Sequence, residues 1–71
     1  MKSGELMVAG YCGLWSTRAG SPVAGRLVGH LDGGDLVVVL QVHGIDALVM
    51  STKGIVGWID GVNGRSLRPV P

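Results

Sequence analysis

Three kinds of side chain in this sequence could take part in catalysis: one thiol, two imidazoles and several carboxylates. A hydrolase needs a nucleophile, a general base and an acid that orients the base. The residues that could fill these roles are Cys12, His30, His43, Asp32, Asp35 and Asp46. No activating signature surrounds Cys12, and an isolated cysteine of this kind is typically a small buried apolar residue. The pattern therefore predicts no catalytic residue and a chain that is not an enzyme.

The histidines and carboxylates also lack the spacing of a metal or phosphate site. His30 and His43 belong to no H-x-H or C-x-x-C pattern. The segment LDGGD, residues 31–35, offers two carboxylates, whereas Ca²⁺ takes about six or more oxygen ligands. No glycine-rich segment leads from a strand into a helix, as a phosphate-binding loop requires. We therefore predict neither metal nor cofactor, and we expect LDGGD to be the turn of a β-hairpin.

Length and composition restrict the classes of partner. The chain has 71 residues, 15% of them charged, and a formal net charge of +1, which predicts one small domain over residues 1–71. Its basic residues are scattered rather than interleaved with aromatics, which argues against a nucleic-acid partner. The longest apolar run, residues 36–40, is too short to cross a bilayer, and no leader-like segment is present. With a single cysteine, Cys12, we expect a soluble protein of the reducing cytoplasm.

The elements that must position these side chains are predicted to be strands. Thirteen glycines interrupt every apolar stretch before it reaches helix length, which predicts an all-β chain. The expected strands are residues 5–11, 26–30, 36–43, 47–51 and 55–59. The expected turns are residues 31–35, 43–46, 52–54 and 60–64, followed by a closing segment at residues 66–67. Five short strands with regular turns predict a small closed or nearly closed barrel over about residues 5–67, with an extended, unpaired tail at residues 68–71.

Four short motifs follow one another along the chain in a recognisable order. They are TRAGSP at residues 17–22, LVGHLDGG at residues 27–34, the apolar strand at residues 36–40 and GIVGWI at residues 54–59. This order resembles the bacterial SH3 (SH3b) family. The resemblance implies a five-stranded SH3-like barrel in which RAGSPVAG, residues 18–25, is the long first loop. The sequence departs from the family pattern at Ser21, inserted before Pro22, and at Ile45, where an aromatic residue is common.

SH3-type domains bind proline-rich and other peptides between aromatic walls. The aromatic candidates here are Trp15, Tyr11 and Trp58. Trp58, in the context GWI, is predicted to lie in the core. Trp15, in a predicted loop, is expected to contact a partner, with simple packing of the loop as the alternative. Trp15 and Tyr11 are therefore predicted binding residues, together with Arg18, whose donors could also bind loop carbonyls.

The strand LVVVLQVH, Leu36–His43, carries apolar residues on both faces. One face must line the core. We expect the other face, led by Val37 and Val39, to be exposed and to mediate dimerisation, since soluble monomers rarely tolerate a contiguous apolar patch. The alternative is that the long loop, residues 13–25, covers this face within one chain.

The sequence thus predicts a non-enzymatic SH3-like interaction module that binds a protein partner or associates with itself. One alternative is a cell-wall-targeting SH3b domain detached from a longer enzyme, which would bind peptidoglycan. A remote alternative is an enzyme similar to the type B dihydrofolate reductases, which are single SH3-like barrels with a V-Q-I-Y segment at the centre of a tetramer. Here the corresponding segment is LQVH, residues 40–43, with His43 in place of the tyrosine.

Overall fold

Every secondary-structure element that the structure describes is a β-strand. The computed structural model describes residues 2–18, 20–59 and 67–70. Its strands are β1 (Leu6–Val8), β2 (Cys12–Trp15), β3 (Leu27–Leu31), β4 (Leu36–His43), β5 (Asp46–Ser51), β6 (Val56–Ile59) and β7 (Arg68–Pro69). In these ranges no helix is long and apolar enough to cross a membrane. The predicted all-β class is confirmed, while the turn predicted at residues 60–64 lies outside the described residues.

The strands form one antiparallel sheet in the order β3-β2-β6-β5-β4-β1-β7. Within the described ranges the edge strands β3 and β7 do not pair with each other, so the sheet is open and has seven strands instead of five. The predicted first strand, residues 5–11, is shorter in the structure: β1 ends at Val8, because the chain at Ala9 leaves the sheet pairing and bonds to a turn. Strand β2, Cys12–Trp15, lies beyond the predicted strand and was not predicted. Ala9 N–H donates to Asp35 O (2.8 Å), and Gly34 N–H donates to Ala9 O (2.8 Å). The tail is also paired, with Pro69 opposite Met7, whereas it was expected to be unpaired.

The β4–β5 hairpin is the longest paired unit of the sheet. Strand β4 has the predicted bounds, and its turn contains Gly44 at a φ of +61°, a conformation that glycine adopts without steric cost. The register runs from Val37 opposite Ser51 to His43 opposite Asp46, with an irregularity at Leu40. A bulge of this kind leaves both Leu40 and the following Gln41 on the exposed side of the strand.

The LDGGD turn forms, but it does not connect two paired strands as predicted. Asp35 N–H donates to Asp32 O (3.1 Å), and Asp32 N–H donates to Asp35 Oδ2 (2.9 Å). The strand before the turn, β3, pairs with β2, whereas the strand after it, β4, pairs with β1 and β5. The turn is therefore a corner at which the chain passes from one part of the sheet to another.

One cluster of buried residues fills the concave side of the sheet. Its members are Met7, Ala9, Cys12, Leu14, Leu31, Val37, Val39, Ala47, Val49, Ile59 and Leu67. The prediction that Val37 and Val39 are exposed dimer contacts is wrong, since they are 1% and 0% exposed. The sequence correctly placed Val37 and Val39 on one face of β4 and Leu36, Val38 and Leu40 on the other. Hydrophobicity could not decide which of these two apolar faces is buried. The β5 neighbours decide it, because Val39 lies opposite the fully buried Val49.

Candidate binding cavity and outer apolar face

The loop between β2 and β3, residues 16–26, is closed at its base by two hydrogen bonds. Ser16 N–H donates to Arg26 O (2.9 Å), and Arg26 N–H donates to Ser16 Oγ (3.0 Å). Further along, Ser21 N–H donates to Arg18 O (3.0 Å), and Ser21 Oγ accepts from Val23 N–H (3.2 Å). Ser21, the residue that departs from the SH3b pattern, thus supplies hydrogen bonds within the loop. These bonds connect the described residues of the loop to one another and to the ends of the hairpin.

Trp15 and Trp58 lie opposite each other where β2 pairs with β6. The β2–β3 register shifts between Leu14 and Trp15; Leu14 is fully buried, whereas Trp15 is 40% exposed. Trp58 is half-buried and does not belong to the core cluster, so the prediction of a core position was wrong. The reason is the alternation of β6, in which Gly57 and Ile59 point inward and the intervening Trp58 points outward.

Gly57 allows the β2–β3 hairpin to approach β6 closely. A Cβ atom at this position would lie 2.7 Å from Leu14 Cβ and 3.1 Å from Val28 Cγ2. Leu14 Cβ is attached directly to the backbone of β2, so this strand would have to move away to accept a side chain. The glycine therefore determines how closely Trp15 can approach Trp58.

The two tryptophans and the loop line an open cavity of about 250 Å³. Its walls include Thr17, Arg18 and Val23 together with small loop residues. Among the described residues that line it, Arg18 carries the only charge. Small-molecule sites typically measure about 300 to 1,000 Å³. The cavity is therefore somewhat smaller than a typical small-molecule site.

The structure brings together some of the predicted binding residues and separates others. Trp15 and Arg18 both line the cavity, and Trp58 joins them. Tyr11 is not among the lining residues; its ring lies 5.8 Å from that of His30. Sequence reasoning missed Trp58, although the glycine before it was a usable signal. A glycine followed by a large aromatic in a strand suggests that the glycine takes the crowded face and the aromatic the open one.

The convex side of the sheet also carries a continuous apolar surface. One row runs in register across β1, β4, β5 and β6 and consists of Leu6, Val38, Met50 and Val56. Val8, Leu36, Leu40 and Leu48 extend this row along the same strands, and we call these eight residues the outer apolar face. The only charged residue in the four strands is Asp46, at the β4–β5 turn. The outer apolar face therefore contains no charge.

At the edge of this face, Arg68 on β7 lies opposite Val8 in the register, and a second group of charged side chains lies at the turns. Lys53 Nζ lies 3.2 Å from Asp32 Oδ2 and 3.5 Å from Asp35 Oδ2, and His30 Nε2 lies 3.5 Å from Asp32 Oδ1. The hydrogen bond from Asp32 N–H, and secondarily the charge of Lys53, lower the pKa of Asp35. The hydrogen bond to Asp32, together with the charge of Asp35, raises the pKa of Lys53. In the part of the chain that the structure describes, no group of three His, Cys, Asp or Glu side chains is arranged to hold a metal ion.

Comparison of the chain with known proteins finds no matching protein-family model, no matching curated protein and no matching solved structure.

Proposed function

We propose that this chain is a non-enzymatic SH3-like interaction module that binds an extended segment of a protein partner in the cavity between Trp15, Trp58 and the β2–β3 loop. The observation that carries the proposal is the cross-strand pair of tryptophans beside a loop whose described residues are connected by hydrogen bonds. Tryptophan is enriched among the residues that dominate binding energy at protein interfaces. Hydrogen bonds within a loop lower the entropy that the loop must lose on binding.

The arrangement of the strands supports the SH3-like part of the proposal. Strands β7, β1, β4, β5 and β6 are consecutive neighbours, which gives a set of five. The β2–β3 hairpin is inserted between the first and second of these strands along the chain, in the place of a long first loop. All of these strands except β7 contribute residues to one core, to which Leu67, directly before β7, also belongs. The buried position of Cys12, the single cysteine, fits the cytoplasmic location that we also propose.

The chemistry of the cavity suggests the class of segment that it binds. Two indoles offer flat apolar walls on which proline rings and aliphatic side chains can pack. Arg18 carries the one charge among the described lining residues of the cavity, and this positive charge attracts a carboxylate. We therefore propose a proline-containing segment with one acidic residue close to the proline.

The proposal can be tested by following the two indole N–H signals in proton–nitrogen NMR spectra. The probes are two ten-residue peptides of proline and alanine, one with a central aspartate and one with asparagine in its place. We expect saturable shifts of both signals, weaker binding of the asparagine peptide, and loss of binding in Trp15→Ala. The control is Tyr11→Ala, which removes an exposed aromatic outside the cavity and should leave binding unchanged.

Two results would contradict the proposal. One is the absence of any shift at millimolar peptide, and the other is equal binding by Trp15→Ala and the wild type. Sedimentation of the chain with purified peptidoglycan, lost in Trp15→Ala, would instead assign the cavity to the cell-wall-targeting alternative.

A further inference from the structure

We infer that the outer apolar face is the contact between two copies of this chain, which pack sheet against sheet in a symmetric dimer. This inference goes beyond the proposed peptide cavity and uses different residues, since none of the eight residues of the face lines the cavity. It also differs from the dimer expected from the sequence, whose contacts Val37 and Val39 are buried in the core.

The exposure of the face is large for a chain of this size. Five of its residues are between 38% and 48% exposed, namely Leu6, Leu36, Leu40, Met50 and Val56. The remaining three, Val8, Val38 and Leu48, are half-buried and close the gaps between them. Together they expose on the order of 500 Å² of apolar surface, which is as large as the largest patch on a typical monomer. The largest patch on a monomer is often functional.

The area matches what a dimer needs. Two such faces in full contact would remove at most about 1,000 Å² from water, which reaches the lower limit for a biological interface. The row of Leu6, Val38, Met50 and Val56 crosses four adjacent strands, so the contact has the width of a sheet. Two sheets that pack through such faces lie about 10 Å apart, which is the spacing of a β-sandwich core.

The chemistry of the face favours a second copy as its occupant. In a twofold dimer the same patch meets itself, so any charge at its centre would oppose a like charge close by. The centre of the outer apolar face has no charge: Arg68 lies at its edge, on β7 opposite Val8, and the charges of Asp32, Asp35 and Lys53 lie at a turn beyond the ends of the strands. Nothing in the face needs an opposite charge from a different partner. A surface of this kind is complementary to itself.

Sedimentation equilibrium of the full chain between about 5 and 300 μM tests the inference, because a dimer dissociates on dilution. We expect an apparent mass that rises to twice that of the monomer. Met50→Lys, at the centre of the face, should raise the dissociation constant at least about a hundredfold, because two ammonium groups would be removed from water. The control is Ile45→Lys: Ile45 is 75% exposed at the tip of the β4–β5 hairpin, outside the face, and its substitution should leave the dimer intact.

Far-UV circular dichroism verifies that each variant is folded, and Val56→Lys serves as the central variant if Met50→Lys does not fold. A wild-type chain that is monomeric at 300 μM would overturn the inference, and so would a dimer that survives both lysine variants or is lost equally in Ile45→Lys. Peptide titration of the folded monomeric variant keeps this test separate from the proposed function. If the chain is monomeric but the indole signals still shift with peptide, only the dimer inference is overturned. If the chain dimerises but the indole signals do not respond to peptide, only the proposed function is overturned.

Discussion

The two faces of the sheet are both apolar, but they are built from side chains of different size. On β5 and β6 the inward positions are occupied by Ala47, Val49, Ser51 and Gly57 before Ile59, whereas the outward positions are occupied by Leu48, Met50, Val56 and Trp58. A small sheet that curves around its core leaves little room on the concave side, and the convex side accepts the larger residues. On β5 and β6, size rather than hydrophobicity therefore distinguishes the buried positions from the outer ones.

The sharpest test of this comparison uses two neighbouring valines on β4. Val39 is fully buried on the concave face, and Val38 is half-buried on the convex face. Val39→Ala should cost about 2 to 3 kcal/mol, since it leaves a cavity in close-packed surroundings, while Val38→Ala should cost less than about 1 kcal/mol. Urea denaturation followed by circular dichroism at about 2 μM protein, where association is minimised, measures both. Equal losses in the free energy of unfolding would mean that the two faces of β4 are packed equally closely.

The crowding of the concave face can be tested by adding one carbon atom. Gly57→Ala should cost about 1 to 3 kcal/mol, because the new Cβ would overlap Leu14 and displace β2. A shift of tryptophan fluorescence towards longer wavelengths should accompany this change as the β2–β3 hairpin moves. The control is Gly33→Ala, at a glycine with open space around it, which should leave the stability nearly unchanged. Similar stabilities for both variants would show that the hairpin is not held closely against β6.

Trp58 tests the comparison from the convex side. Since its ring is half-buried, Trp58→Ala should cost about 1 to 2 kcal/mol and leave a cooperatively folding protein. A tryptophan in the core would cost about 3 to 5 kcal/mol, enough to unfold a domain of this size. The urea midpoint and the slope of the transition distinguish these cases. If Trp58→Ala showed no cooperative unfolding transition, the assignment of Trp58 to the outer side would be wrong and a core position would be indicated.

The smallest expected effect concerns the charged turn, which belongs to neither face. The pKa of Asp35 is lower in the folded chain than in the unfolded chain, so its contribution to stability is present above about pH 4 and is lost as the pH falls through the folded value. Asp35→Asn should therefore lower the urea midpoint slightly at pH 7, and this difference from the wild type should disappear near pH 2. A difference that persists unchanged at low pH would assign the effect to packing rather than charge.

Much of the sheet could be predicted from the sequence, and the exceptions have physical reasons. Strands β4, β5 and β6 lie close to their predicted bounds, because runs of β-branched residues are separated by turns with Gly44 and Gly54 at positive φ. Strand β2 was missed because it has four residues, one of them Gly13, and lies within a glycine-rich stretch. Without β2 its partnership with β3 was hidden, and the turn at Asp32 to Asp35 was assigned to the wrong hairpin.

The candidate site was predicted in part for a related reason. Trp15 was selected as a tryptophan within the predicted loop and Arg18 for its hydrogen-bond donors in the same loop, and both line the cavity. Trp58 comes from a strand about forty residues further along, and only the β2–β6 pairing brings it beside Trp15. The local sequence pattern contains no information about such a pairing. Here the pairing of β2 with β6 depends on Gly57, because a side chain at this position would collide with Leu14.

The pair of hydrogen bonds between Ser16 and Arg26 has a consequence for protein engineering. The bonds attach both ends of the loop to the hairpin. The pairing of β2 with β3 should therefore tolerate changes in the length and sequence of the segment between these bonds. The entropy of closing a loop rises only slowly with its length, by about 0.6 kcal/mol for each doubling. The tip around residues 21–24 is thus a natural position for randomised or foreign peptides, and the domain could serve as a cysteine-poor scaffold for displaying them.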